Sequence, residues 1–399
     1  MDRPDVINLD PTANPTAADP VTTGKSYPGL PDTTNNIHIS LPFNFNISDP
    51  KVEMGKVDYV GGSSYATEPP GVYNTSYYPY DRAGNQGHDI TWFKAHHPDW
   101  IEYQCDRRTI AYEFGDANPP LDITNPSVLN YMWSTYLAPR LQAGYGGIMF
   151  DNLSLNNSGH WTGRRCGHFT QTGAWVQQFA GTSNDPAYRR AVLNWAKTMH
   201  ERLHAAFPNA TMSGNFSFDP SYAADSYTLY QYLDIVVDEK GFTNEGESGN
   251  NYLTGDEWMA KMQALQHLSS LGKGWSSTNQ EPERFANISR TEVQWVLANY
   301  LLVKGRHSFV FITGVQEYGN LYLRPEYAAR IGSPIGAMSG KGPIYSRNFT
   351  HGLAIVNPSA SHGYTVQLPA NTYKDLYGQT LANGSVTLGP HSGIVLLKV

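Results

Sequence analysis

The run GGIMFDN, Gly146 to Asn152, is a short apolar segment that opens on two glycines and closes on a carboxylate and an amide. A strand covered by helices on both faces has no wet side, so it reads as a continuous apolar run of this length. LDIVVDEKGF, Leu233 to Phe242, repeats the plan and closes on Asp238 and Glu239. Between the two runs lies a helical period. Pro186 suits a first turn, and Tyr188, Val192, Trp195, Met199 and Leu203 fall on one stripe.

The alternation extends outward in both directions. Strands are expected at Ile37–Phe43, Asp58–Gly61, Trp100–Gln104, Gly146–Phe150, Thr211–Gly214, Leu233–Val237, Gly274–Thr278 and Ser308–Thr313. Thr254 with Glu257, and Ser289 with Glu292, have capping-box spacing before apolar stripes that Gly272 and Gly305 end. Strand then helix, eight times over about 300 residues, is the pattern of a (β/α)₈ barrel. A doubly wound sheet would need fewer strands. From Pro343 onward the helical period stops, and short alternating segments (Gly352–Val356, Tyr364–Leu368, Val386–Leu388, Gly393–Lys398) are separated by turn residues. The expected organisation is therefore a disordered or extended leader over 1–34, a barrel over 35–342 and a small antiparallel, sandwich-like β-domain over 343–399.

Composition narrows the function. The 399 residues carry 28 Lys plus Arg against 35 Asp plus Glu, for a net charge of −7. No basic block is present to meet a phosphate backbone, so a nucleic acid is not expected as partner. No run of about 18 apolar residues exists to cross a membrane. With 26 Tyr and 9 Trp the chain is rich in aromatics. Few lysines and nine Asn-x-Ser/Thr sequons lean towards a secreted or periplasmic protein, although no signal peptide is visible. Cys105 and Cys166 are too few for a disulfide framework or a thiolate metal site, but they can form one bridge.

Barrel enzymes place their chemistry at the C-terminal strand ends. A carboxylate there is costly unless hydrogen-bonded or employed, which marks Asp151 on the fourth strand and Asp238 or Glu239 on the sixth. Carboxylates on these two tips are expected to face each other across the barrel mouth, as glycoside hydrolysis requires. Only one of the adjacent pair Asp238 and Glu239 can point inward if the strand stays regular. Glu239 is favoured, because it lies further past the apolar run and reaches further, with Asp238 as the fallback. Asn152, Asn215, Asn279, Gln280, Gln316, Glu317 and Tyr318 also follow strand ends and suit sugar hydroxyls. Tyr103, Trp161 and Trp275 are candidate platforms for a sugar face. Trp195 and Trp258, at helical core spacing, are expected to pack. No P-loop, G-x-S-x-G elbow or metal-spaced histidine pair accompanies these residues, so neither cofactor nor metal is expected in the reaction.

HPDWIEYQCD (His97–Asp106), PLDITNPSVLNYMW (Pro120–Trp133), GGIMFDN and DIVVDEKGFTN resemble barrel glycoside hydrolases of bacteria. The closing stretch Asn357–Leu397 is similar to the β-domain that ends many of them. The resemblance covers about residues 35–399, and its strand-four and strand-six acids are similar in placement to those of the alpha-galactosidase clan. It implies Asp151 as nucleophile and Glu239 as acid/base, although an Asp is usual at the second position in that clan. The expectation is a retaining glycoside hydrolase that cleaves an O-glycosidic bond of a poly- or oligosaccharide. A non-catalytic carbohydrate-binding protein and a transglycosidase using the same pair are the alternatives.

Overall fold

The computed structural model describes residues 5–9, 27–43, 56–64, 66, 71–84, 87–113, 118–158, 163–246, 252–315, 317–341, 343–381 and 384–399. Strand β1 (Asp5–Asn8) precedes the barrel strands β2 (Ser40–Leu41), β3 (Tyr59–Ser63), β4 (Tyr73–Pro79) and β5 (Gly147–Asp151). A short hairpin, β6 (Gly167–Phe169) and β7 (Trp175–Gln177), follows. The barrel then resumes with β8 (Thr211–Asn215), β9 (Ile235–Asp238), β10 (Gly274–Glu281) and β11 (Ser308–Gly314). The eight barrel strands lie in one sheet in sequence order. Their registered pairs are parallel. Ile39, beside β2, bridges Val310 of β11 and so returns the sheet to its first strand. This is the (β/α)₈ barrel read from the sequence.

The chain separates into two compact units, Met1–Ser63 with Glu68–Asn74 and Ile235–Val399, and Ser64–Thr67 with Thr75–Asp234. In the second, helices α1 (Ile90–His96), α2 (Pro126–Met132) and α3 (Ala138–Gln142) precede β5, with a π turn at Trp133–Leu137 joining the last two. Helix α4 (Pro186–Ala206) starts at Asp185, whose carboxylate accepts the Ala187 and Tyr188 amides. It buries Tyr188, Val192, Trp195, Met199 and Leu203, the stripe that its period predicts. Helix α5 (Ala223–Tyr232) leads into β9.

In the first unit, α6 (Gly255–Ser270) and α7 (Arg290–Val303) flank β10. Ser289 and Glu292 close the expected capping box on α7. Thr254 does not cap α6 through its side chain. Gly255 enters that helix at φ +52°, a left-handed turn outside the geometry a capping box needs. Strand β10 is buried along its whole length although it reads Gly-Trp-Ser-Ser-Thr-Asn-Gln-Glu. Its small hydroxyls meet others, as where Ser276 Oγ donates to Ser40 Oγ at 2.8 Å.

The third expected strand is corrected. Trp100–Gln104 is a 3₁₀ turn at Pro98–Trp100 followed by isolated bridges from Ile101 and Tyr103. The third barrel strand is Tyr73–Pro79, YNTSYYP, which contains no aliphatic residue. Tyr and Thr suit a pleated surface, and this strand is buried by its neighbours without an apolar run of its own.

The C-terminal region is two-layered. β12 (Pro334–Lys341), β13 (Ile344–Phe349), β14 (Gly352–Asn357), β15 (Tyr364–Gln367), β16 (Tyr373–Asp375), β17 (Ser385–Leu388) and β18 (Ser392–Lys398) form two sheets. One is ordered β12-β13-β14-β18-β16 and the other β1-β15-β17. Ile344, Leu353, Ile355, Val366, Tyr373, Leu388 and Leu396 make their shared core. The sheet begins at Pro334, ahead of the boundary expected at 343, because the Gly-rich β12 with its bulge between Ile335 and Ser339 has no clean alternation. One stretch of the leader, expected to be disordered or extended, is an extended strand. Asp5–Asn8 pairs in parallel with Tyr364–Gln367, and Ile7 and Leu9 pack on the sandwich core. Arg347 of β13 is buried and donates to the Leu301, Leu302 and Lys304 carbonyls at the end of α7. A cation there satisfies groups that a helix C-terminus leaves open.

Candidate active site

Asp151 is the last residue of β5 and is 8% exposed. Register places its partners. Pro79 of β4 lies opposite Asp151, so Tyr77, two residues earlier, is on the same face and its hydroxyl donates to Asp151 Oδ2 at 2.7 Å. Phe150 lies opposite Gly214 of β8, so the next residue, Asn215, falls beside Asp151 and its Nδ2 donates to Oδ1 at 2.7 Å. Asn152 adopts φ +58°, a left-handed conformation that asparagine tolerates better than most residues. That turn lets its own Nδ2 donate back to Oδ2 at 2.7 Å. Three neutral donors thus hold one carboxylate, and an ionised carboxylate, acceptor-only, matches them. Asn152 and Asn215, both expected at the site, are brought to Asp151. Tyr77 was not expected.

In the other unit the adjacent acids separate. Asp238, the last residue of β9, is buried and accepts a hydrogen bond from Lys261 Nζ, which is buried on α6. A buried ion pair of this kind ties strand to helix and gives Asp238 a partner within the fold. Glu239 follows it half-buried, one residue beyond the strand. The turn after Glu239 is anchored by Asn279 of β10, whose Oδ1 accepts the Phe242 amide at 2.8 Å. Asn279 Nδ2 donates to Ser277 O, Ser277 Oγ and Phe311 O. Its amide is therefore occupied by the fold and not offered to a sugar. Trp295 Nε1 donates to Phe242 O at 3.0 Å and holds the same turn.

Several other expected residues are placed differently. Trp275 is fully buried against the Tyr300 ring of α7, so it packs in the core and is no sugar platform. Glu317 accepts the Phe285 amide on Oε2 and the Tyr322 hydroxyl on Oε1, and so staples its own loop. Tyr103 is half-buried with its ring edge-on to Phe169. Trp161 and Gln316 lie outside the described residues. Trp195 and Trp258 are fully buried, as expected.

The structure adds buried charges that the sequence reading missed. Past the end of β4, Asp81 and Arg82 meet Glu113 and Arg165, none more than 3% exposed. Arg165 Nη2 donates to Asp81 Oδ2 at 2.7 Å, and Arg82 Nη1 donates to Glu113 Oε2 at 3.3 Å. Burial, then the charge of Asp81, pushes the Glu113 carboxyl up to about 8. Asp81 and Arg82 directly follow β4, so recognising that strand was the signal that would have found this pair. Glu281, buried at the tip of β10, is a further strand-end carboxylate. Cys105 and Cys166 are bridged, 61 residues apart.

A family model described as hypothetical glycosyl hydrolase family 15 matches residues 71–353, well over half of the chain. No curated protein matches. Among solved structures, Amy13B of Eubacterium rectale is 10% identical with a TM-score of 0.50, over 93% of this chain and 97% of that one. A family GH13_31 enzyme is 14% identical, with a TM-score of 0.47 over 99% of both chains. The glycoside hydrolase domain of PelA from Pseudomonas aeruginosa is 12% identical, with a TM-score of 0.42 over 72% of this chain and 97% of that one. At 10% identity the likeness to Amy13B speaks for the fold alone.

Proposed function

Since the chain belongs to the hypothetical glycosyl hydrolase family 15 and is a glycosidase, we propose that it cleaves an O-glycosidic bond with retention of configuration, using Asp151 as nucleophile and Glu239 as general acid/base. The observation that carries this reading is the Asp151 carboxylate, held at a strand tip by Tyr77, Asn152 and Asn215. Oδ2 accepts two of the three donors and Oδ1 only one, so Oδ1 keeps a lone pair and is the attacking atom. In the first step Oδ1 bonds to the anomeric carbon while the Glu239 carboxyl gives its proton to the departing glycosidic oxygen. In the second, the Glu239 carboxylate takes a proton from water, whose oxygen displaces Asp151 from the same carbon. Two inversions make net retention. The ion pair of Asp238 with Lys261 supports Glu239 as the acid of that strand end.

The substrate we infer is a poly- or oligosaccharide met outside the cytoplasm, with no nucleic acid or membrane partner. The Cys105–Cys166 bridge supports export, because reducing compartments keep such thiols open. The test is a panel of α- and β-linked polysaccharides and aryl glycosides offered to wild type, Asp151→Ala and Glu239→Gln. Wild type should release sugar whose first-formed anomer, followed by NMR, has the configuration of the substrate. Asp151→Ala should lose roughly 10⁴-fold or more in kcat while keeping its circular dichroism. Full activity in that variant removes Asp151 from the chemistry, an inverted first product rules out the covalent step, and transfer products without free sugar replace hydrolase by transglycosidase.

A further inference from the structure

Outside the proposed catalytic residues, Glu102, Asp122 and His168 bring one ligand atom each within 4.8 Å of one another. The backbone arranges this. Tyr103 bridges Gly167 in antiparallel fashion, so Glu102 lies opposite His168, and Ile101 bridges Leu121 likewise, so Glu102 lies opposite Pro120 and diagonal, on the same face, to Asp122 two residues on. Glu102 is 1% exposed, and its Oε2 has no hydrogen-bond partner among the described residues. A buried carboxylate oxygen with nothing to accept from is costly and calls for an explanation.

The neighbours are better supplied. Asp122 Oδ1 accepts from the Thr124 amide at 2.8 Å and the Thr124 hydroxyl at 2.6 Å, and its Oδ2 accepts from Gln178 Nε2 at 2.9 Å. Outer donors of this kind orient a metal-ligating carboxylate. His168 Nδ1 lies 3.4 Å from Asp122 Oδ2 and 3.1 Å from Gln178 Oε1. Arg165, also buried, directs its Nη atoms at Asp81, Glu113 and the Leu121 carbonyl.

We propose that Glu102, Asp122 and His168 bind a divalent cation of the zinc type, which pins together the segments carrying them. Two carboxylates and a neutral imidazole cancel a double positive charge, so the buried site becomes electroneutral. Tetrahedral bonds of about 2.0–2.1 Å set ligand atoms about 3.3 Å apart, close to the spacing of His168 Nδ1 and Asp122 Oδ2. Mixed nitrogen and carboxylate donors suit zinc better than calcium or magnesium. The cation is structural, and no step of the sugar chemistry passes through it.

The test uses the full chain, stripped with a chelator and titrated with Zn²⁺ by calorimetry, with thermal unfolding as the second readout. Wild type should bind one Zn²⁺ per chain and unfold at a higher temperature when loaded. Glu102→Gln keeps the shape of the side chain and His168→Ala removes the nitrogen. Each should weaken binding by more than the roughly 10–100-fold that loss of an outer partner costs. No saturable binding by folded wild type overturns the proposal. So does binding that survives in both variants, which would assign the ion elsewhere, as to His200, His204 and Asp234.

Discussion

Glu102 makes a pH prediction of its own. Burial, then the charge of Asp122, pushes its carboxyl up to about 8 from an ordinary 4.5, with Arg165 opposing and Asp81 adding to the rise. A folded value above the unfolded one means that the native chain holds a proton which the unfolded chain has released. The associated stability is complete below about pH 4.5 and drains away as pH rises to about 8. In metal-free protein, the unfolding temperature should therefore fall more steeply between pH 5 and 8 for wild type than for Glu102→Gln. Parallel curves for the two would dismiss Glu102 as the group responsible. The same scale shows what single residues disclosed in advance. Asp151 was legible because a carboxylate closed an apolar run. Glu239 was favoured over Asp238 on reach alone, since the contact that distinguishes their surroundings, Lys261 on α6, is 23 residues from Asp238 in the chain. Trp275 looked like a platform only because nothing local shows that Tyr300 covers it.

Among elements, β4 teaches most. Seven of the eight barrel strands fall where the strand-helix alternation expects them, whereas YNTSYYP has the small hydroxyls and tyrosines of a segment whose burial comes wholly from its neighbours. Missing it hid Tyr77, and with it one of the three donors on Asp151. Tyr77→Phe removes that hydroxyl and keeps the ring. A hydrogen bond to a charged acceptor is worth about 1.5–3 kcal/mol, so kcat should fall by roughly 10–100-fold with little change in KM. Measured kcat within a factor of two of wild type would mean that Asn152 and Asn215 hold the nucleophile unaided. The helices were more legible than the strands, because a stripe such as Tyr188 to Leu203 carries its own period, and Ser289 with Glu292 carries its own cap. Thr254 had the same spacing and did not cap, since φ at Gly255 is a backbone choice that spacing cannot report.

For the molecule as a whole, the strand-helix alternation read correctly as a barrel, and the loss of helical period near the C-terminus read correctly as a β-domain. What could not be read were pairings between distant segments. Asp5–Asn8 joins Tyr364–Gln367 across almost the full chain, and no composition rule marks a strand whose partner is that remote. The Cys105–Cys166 bridge is another such pairing, left open by sequence and closed by the fold. Gly181, at φ +68°, packs against it, and a Cβ there would fall on Cys105 Sγ. A bridge spanning 61 residues restricts the unfolded chain. On the chain-entropy model it contributes about 4 kcal/mol, less whatever residual structure the unfolded state keeps. Denaturation in guanidinium with and without reductant measures this directly. The wild-type midpoint should drop when the bridge is opened, while a Cys105→Ser, Cys166→Ala double variant should sit near the reduced value and ignore reductant. A wild-type midpoint indifferent to reductant, with thiol titration confirming that the bridge had opened, would show that the hydrogen bonds donated by the Gln178 and Phe179 amides to the Cys166 carbonyl already hold these loops without it.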